Sequence, residues 1–282
     1  MSKQLNKELL QCPNCKGHFM VIENLIECKY CKLKASIDDR KIIFSGLIDE
    51  GPEGEINKLK RIFKRNNLLY SFLIKVVSPI CPSSAQKKFI KDYVKGKNVV
   101  AINFGSGSSD ISSDISNVDF FNYERVDLVC DIINIPIKDN SVDCILNVAV
   151  LEHVKYPEVV VAEFNRILKK GGRVFLNFPF IQGFHSSPHD YSRRTTEGLA
   201  TLFKDFKIEK IGIVGGPTSA LLWIIQEWLA IVFSFGWRSL HDYLYVLFMV
   251  LSFPLKYLDI ILKWHPSAKN ISSNFYVVAK KE

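Results

Sequence analysis

No stretch of this 282-residue chain offers roughly twenty uninterrupted apolar residues, so neither of its two long hydrophobic runs is a clean spanning helix. Residues 1–11 are polar and lack the apolar core of a secretory leader, and the paired cysteines that follow, read as a reduced zinc site, point to the cytoplasm. A third shortage lies downstream of Gly107, where only about seven residues precede the next apolar strand, too few for a helix of useful length. A nicotinamide dinucleotide rests its pyrophosphate on a helix N-terminus, so that cofactor class is disfavoured.

What is present fits a small module joined to one α/β domain. The hydrophobic fraction of 48% is ample for a core, and the net charge of +8 is unevenly spread. Lys and Arg exceed Asp and Glu by nine over residues 1–98 and by two over 218–282, whereas acidic residues exceed basic ones by three over 99–217.

Residues 131–179 (DIINIPIKDNSVDCILNVAVLEHVKYPEVVVAEFNRILKKGGRVFLNFP) carry the densest signal. The apolar run at 141–150 suits a parallel strand buried on both faces. Pro157 opens a helix whose Val160, Val161, Phe164, Ile167 and Leu168 recur at three- and four-residue spacing, and Lys169, Lys170 and Gly171 are expected to close it. Residues 173–178 form the next strand, which completes a right-handed βαβ unit. In order, Asp131, Ile135-Pro136, Asp139, Ser141, Asp143, Leu151-Glu152-His153, Arg166, Leu168-Lys169 and Gly171-Gly172 resemble the second half of a class I S-adenosylmethionine (SAM) methyltransferase of the type 11 kind.

Upstream, an apolar strand at 98–104 runs into Gly105-Ser106-Gly107, which resembles that family's glycine motif. Asn103 stands where the family has an acidic residue, and Ser109 where it has a third glycine. A strand at 115–118 ends at Asp119, whose carboxylate is placed to accept both ribose hydroxyls. The resemblance lays Asp131 and Ile132 along the adenine, and Asn103, Gly105, Ser106, Gly107, Asp119, Asp131, Ile132 and Asn147 form the expected cofactor set. SAM carries a cationic sulfonium and no phosphate, so acidic residues around the pocket make electrostatic sense. The alternative is that Asp119 and Asp131 only terminate strands.

Two C-x-x-C pairs, Cys12/Cys15 and Cys28/Cys31, are separated by twelve residues, the spacing of facing zinc knuckles. Four thiolates leave no position for water, so the expected zinc is structural. Residues 9–44 are similar to the Trm112-like zinc ribbon, whose family activates methyltransferases. Cys130 and Cys144 fall in core strands and are expected to be inert; Cys81 lies outside them.

After the strand at 173–178, Gly183-Phe184-His185 and His189-Asp190-Tyr191-Ser192-Arg193-Arg194-Thr195 resemble the acceptor loop of methyltransferases of glycan and lipid biosynthesis. His153, His185 and His189 are the candidate catalytic groups for an oxygen or nitrogen acceptor, and Thr195 also reads as a helix N-cap. Methyl transfer depends chiefly on alignment, and a base is needed only if the acceptor must lose a proton.

Residues 49–55 (DEGPEGE) read as a linker, followed by Lys58, Lys60, Arg61, Lys64 and Arg65 and an apolar helix at 68–77 closed by Pro79 and Pro82. That cluster suits RNA phosphates, an anionic membrane or plain solvent. Strands at 208–214 and 274–279 bracket an insertion containing LLWIIQEWLAIVFSF (221–235) and YLYVLFMVLSFPL (243–255), expected to emerge beside the substrate mouth. Trp223, Trp228, Trp237, Tyr243, Tyr245, Tyr257 and Trp264 suit a membrane interface, so the insertion reads as a helical hairpin that dips into one leaflet or caps a lipid tunnel. A buried lid or dimer contact is the competing reading.

The expected architecture is a Rossmann-like, seven-stranded, doubly wound α/β sheet with a zinc ribbon over 1–47, a basic linker and helix over 48–95, and a SAM-methyltransferase domain over 96–282 with its hydrophobic insertion at 217–270. The expected activity is SAM-dependent methyl transfer to a lipid-linked, glycan or other small-molecule acceptor, with the chain cytoplasmic and peripheral on the inner face of the cell membrane. An RNA methyltransferase and a non-enzymatic scaffold with a degenerate SAM site are the alternatives; the oligomeric state is left open.

Overall fold

A computed structural model describes residues 5–44, 83–185 and 189–282. The linker at 49–55, the basic cluster, the apolar helix at 68–77, Cys81, Pro79 and Pro82 lie outside the described residues. The ribbon contributes β1 (Phe19–Ile22), β2 (Leu25–Cys28), β3 (Lys34–Asp38) and β4 (Lys41–Phe44). Helix α1 (Ser84–Tyr93), capped by Ser83, leads into β5 (Ala101–Phe104), β6 (Ser116–Asp119), β7 (Leu128–Val129) and β8 (Val142–Val148). Then come α2 (Pro157–Ile167), β9 (Leu168–Pro179), α3 (Thr196–Leu202), β10 (Lys207–Gly215), α4 (Pro217–Ser234), α5 (Arg238–Ser252), α6 (Asp259–Leu262) and β11 (Asn274–Lys280).

The sheet has eleven strands rather than the expected seven, in the order β1-β2-β3-β4-β7-β6-β5-β8-β9-β11-β10. The last seven in that order are the expected doubly wound sheet, parallel from β7 to β9 with β11 antiparallel. The other four are the ribbon, added because β4 pairs in parallel with β7 through Ile42↔Leu128 and Ile43↔Val129. An antiparallel bridge between Leu10 and Ile137 makes a second join, and Lys41 Nζ donates to Asn122 Oδ1 and to the Tyr123 carbonyl. Leu10, Ile26, Ile37, Ile42 and Phe44 share one apolar cluster with Leu128, Ile145, Phe164 and Val174, so ribbon and sheet close over a common core. The opposite face buries Phe89, Val94, Leu146, Phe175 and Tyr276 under α1.

Several motif residues prove to be struts. Arg166 donates to the carbonyls of Ile135 and Ile137 and to Asp139 and Glu163, which ties the 135–139 turn to α2. Asp143 accepts from Val100 N at 2.8 Å and pairs with Lys169 at 2.9 Å. That pairing corrects the expected helix ending: α2 stops at Ile167, the backbone at Leu168 is already extended, and Lys169 and Lys170 belong to β9. Gly171, at φ 81°, bends that strand instead of capping the helix.

The insertion is a hairpin of α4 packed on α5, and α5 stops at Ser252, two residues before Pro254. A proline is tolerated in a first turn, and the chain passes through a 3-10 segment, Phe253–Leu258, into α6. The helical stretch Arg238–Leu262 therefore runs 25 residues at mean hydropathy 1.8. Its return anchors the hairpin: buried Asp259 accepts from Thr218 N at 2.8 Å, Ser219 N at 2.9 Å and Ser219 Oγ at 2.6 Å, acting as a cap for α4 supplied from 41 residues downstream. Asp259→Ala leaves those buried donors unpaired, so chemical denaturation is expected to show a loss of about 2 kcal/mol.

Candidate functional site

Because β7, β6, β5, β8 and β9 are parallel, their C-terminal ends and the loops that follow share one edge of the sheet. The turn after β5 holds Gly105 at φ 72° and Gly107 at φ 56°, a backbone region that favours glycine. The two glycines do different work. A Cβ on Gly105 would lie 2.2 Å from Val150 Cγ2, so this residue lets β5 pack against the chain leaving β8. A Cβ on Gly107 would meet nothing within 4 Å, leaving that backbone open to a ligand.

Asp119, at the end of β6, is buried, and burial pushes its carboxyl upward against the opposing pull of its backbone hydrogen bonds. Its Oδ2 accepts from Gly107 N at 2.7 Å and its Oδ1 from Phe121 N at 2.9 Å, so it shapes the glycine turn while each oxygen keeps further acceptor capacity. Ser106 is buried within the turn. Asn147, fully buried near the end of β8, donates to the Phe104 carbonyl at 3.1 Å, and its Oδ1 has no partner. Asp131 is exposed and accepts from Ile133 N at 2.9 Å in a local turn, beside buried Ile132. Asn103 is displaced from this group: its side chain donates to Asn117 Oδ1 at 3.2 Å across the β5–β6 pair. No helix forms between Gly107 and β6, as the short spacing required.

Next to this edge, Ala149 takes φ 55°, which turns the chain sharply after β8 and sends Glu152 inward. Glu152 is fully buried and neither carboxylate oxygen has a hydrogen-bond partner. Burial pushes its carboxyl up to about 8. His153 Nε2 and His185 Nε2 each lie 3.9 Å from Glu152 Oε1, and the two rings meet edge to face at 5.3 Å between centroids. His185 is held by Asp190, which accepts from its backbone N–H at 2.9 Å and pairs with Arg193. Burial lowers the His185 pKa from its ordinary value. His189 is separated from these two: its exposed ring packs on Tyr191 at 5.5 Å, and only its carbonyl reaches His153 Nδ1.

Sequence reasoning quoted Glu152 as part of a motif without giving it a role; an acidic residue between a leucine and a histidine after a buried strand was the available signal. Trp223 was read only as an interfacial aromatic. Its ring lies 5.9 Å from that of His185 and against Gly183, so α4 forms one wall of the site.

At the other end of the sheet edge, the four ribbon thiols converge, with Cys12–Cys31 and Cys15–Cys28 sulfur separations of 3.4 Å and all four within 4.8 Å. Tetrahedral zinc at about 2.3 Å from each sulfur sets neighbours about 3.8 Å apart, so the set fits zinc after small adjustments. The knuckles repeat each other: Lys16 N donates to Cys12 O and Lys32 N to Cys28 O, with Lys16 and Lys32 at φ 58° and 62°.

Residues 81–176 match the family model described as a methyltransferase domain, which bears out the resemblance carried by residues 131–179. An uncharacterized 37.1 kDa protein in transposon TN4556 of Streptomyces fradiae is 33% identical over 91 residues, 32% of this chain and 26% of that protein. The chain thus spans about a quarter of the curated relative it matches. Among solved structures, phosphoethanolamine N-methyltransferase 2 of Haemonchus contortus is 15% identical at TM-score 0.47, covering 79% of this chain and 58% of that one. Geranyl diphosphate C-methyltransferase of Streptomyces coelicolor A3(2) is 14% identical at TM-score 0.43, covering 71% and 78%. One chain of the complex between the Haloferax volcanii Trm112 methyltransferase activator and a candidate methyltransferase is 12% identical at TM-score 0.44, covering 79% of this chain and 96% of that one.

Gly105→Ala is expected to destabilise the fold by about 1–3 kcal/mol in thermal or urea unfolding, through overpacking against Val150. Val150→Ala in the same chain should recover part of that loss.

Proposed function

We propose that this chain is a SAM-dependent methyltransferase acting on a small-molecule acceptor. The observation that carries the reading is the turn at Gly107, open on its ligand side and held by the carboxyl of Asp119. The match of residues 81–176 to a methyltransferase domain supports it. When bound, SAM supplies an electrophilic methyl group on a sulfonium.

The chain's own residues bind and align. The Gly107 backbone admits the cofactor closely, Asp119 receives ribose hydroxyls, Asp131 and Ile132 flank the adenine, and Gly105, Ser106 and Asn147 fix the turn. Acidic groups at Asp119 and Asp131 favour a cationic donor. Glu152, His153 and His185 form the polar end of the acceptor pocket and hold the nucleophilic atom in line, the main lever on a displacement reaction. His189 acts through its carbonyl on His153.

We place the acceptor at a membrane surface, and the hairpin supports that placement. Its inward side is polar, with Thr218, Ser219, Gln226, Ser234, Lys256 and Asp259 buried. Its outward side is apolar, with Leu221, Ile231, Leu251 and Ile261 exposed. Trp228, Phe235, Trp237 and Trp264 are 59%, 82%, 74% and 79% exposed, which would cost a water-soluble surface dearly and suits the headgroup boundary of a leaflet. With Trp223 on the inner side of the same helix against His185, a lipid-linked or glycolipid acceptor can pass from leaflet to site along α4.

Protein incubated with methyl-labelled SAM and a total lipid extract is expected to carry label into the organic phase, and Asp119→Ala to reduce that transfer at least about tenfold through cofactor affinity. Label appearing only in added RNA would replace the lipid reading with a nucleic-acid one. In vesicle flotation, the triple change Trp228→Ser, Phe235→Ser and Trp237→Ser is expected to weaken binding by about tenfold or more, since each ring loses about 1.5–3 kcal/mol of burial at most. Unchanged flotation would remove the hairpin from the membrane.

A further inference from the structure

With Glu152 ionised, the Glu152, His153 and His185 side chains present three electron-pair acceptors to one another with no donor among them. His153 Nδ1 lies 2.5 Å from the His189 carbonyl, an acceptor, so this nitrogen carries the hydrogen and Nε2 carries the lone pair. His185 follows by elimination. Arg193 Nη2 lies 3.3 Å from its Nδ1, but both Nη2 hydrogens are engaged, by Gly183 O at 3.0 Å and Asp190 Oδ2 at 2.6 Å. His185 Nδ1 is therefore the N–H, directed at Gly183 O at 3.3 Å with Asp190 Oδ2 nearby at 3.7 Å, and its Nε2 also carries a lone pair. Both lone pairs face the carboxylate oxygen Oε1 of Glu152, at 3.9 Å each.

That separation is too long for a hydrogen bond. Tetrahedral ligands about 2.0–2.2 Å from one ion sit about 3.3–3.6 Å apart, so a contraction of a few tenths of an ångström brings both imidazoles and the carboxylate onto one metal. The three ligand atoms lie within 4.8 Å of one another. Glu152 is fully buried with both oxygens unpartnered, an arrangement in which the ionised carboxylate calls for a cation beside it. Each histidine has its other nitrogen fixed by a backbone carbonyl, the outer-shell contact that orients metal-ligating imidazoles.

We propose that Glu152, His153 and His185 form a second metal site, distinct from the ribbon, that takes a divalent ion of the zinc and cobalt class. Two imidazoles and one carboxylate leave coordination positions vacant, unlike the closed four-thiolate set. Trp223 packs beside His185, and an oxygen of the acceptor would fill a remaining position; this last assignment rests on the methyltransferase reading, whereas metal binding itself does not.

Untagged full-length protein with its ribbon loaded with zinc is titrated with cobalt(II) alone, gel-filtered and analysed for both metals. The wild type is expected to retain a second equivalent whose visible spectrum lacks sulfur-to-cobalt charge transfer. Glu152→Gln and His185→Asn are each expected to lose that equivalent while keeping the ribbon zinc, and Cys28→Ser to keep the second equivalent while losing the ribbon zinc. Folded wild type that retains only the ribbon equivalent overturns the proposal, as does a second equivalent that survives Glu152→Gln and His185→Asn together. S-adenosylhomocysteine binding measured on the same samples separates this failure from failure of the methyltransferase reading.

Discussion

A parallel sheet places all its strand ends of one kind on one edge, and this single constraint organises the molecule. The hydrogen-bonded register from β7 to β9 brings Gly107, Asp119, Asn147 and the Glu152 turn together from across some fifty residues of chain. No long-range contact between their side chains is needed to assemble them; the backbone ladder does it. The same edge receives the hairpin, because β10 runs parallel to β9 with antiparallel β11 between them, so α4 leaves from Gly215 beside the loop that carries His185.

Much of this was legible in the chain because the relevant signals are local. Paired C-x-x-C motifs, a buried apolar run after Ser141, a Pro157 helix start and a Thr195 cap, which accepts from Gly198 N, each express a constraint that acts within a few residues. The β4–β7 pairing was not legible, since β7 is two residues long and nothing near Leu128 marks it as an edge awaiting a partner. Lys169 was misplaced for a related reason: its partner, Asp143, lies 26 positions away on β8. Glu152 carried its signal in plain view, but the absence of partners for a buried carboxylate is a property of three-dimensional packing.

The hairpin inverts the usual order of a soluble protein. Several of its polar side chains are used inside, with Asp259 capping α4 and Gln226 donating to Ser252 at 2.7 Å, while many large apolar groups face outward. Polar contacts of that kind hold two helices together without relying on water to drive them, which is compatible with the membrane-surface placement proposed above. The ribbon joins the sheet directly at β7, and the hairpin leaves from β10, two strands beyond β9 at the other end.

The central claim is that the open glycine turn holds SAM. Calorimetric titration of folded, zinc-loaded protein with S-adenosylhomocysteine, with NAD as control, tests it most directly. The account predicts saturable one-site binding of S-adenosylhomocysteine, none of NAD, and about 2.7 kcal/mol of added stability at a hundred times the dissociation constant. A folded protein that ignores S-adenosylhomocysteine, or that takes NAD in its place, would contradict it.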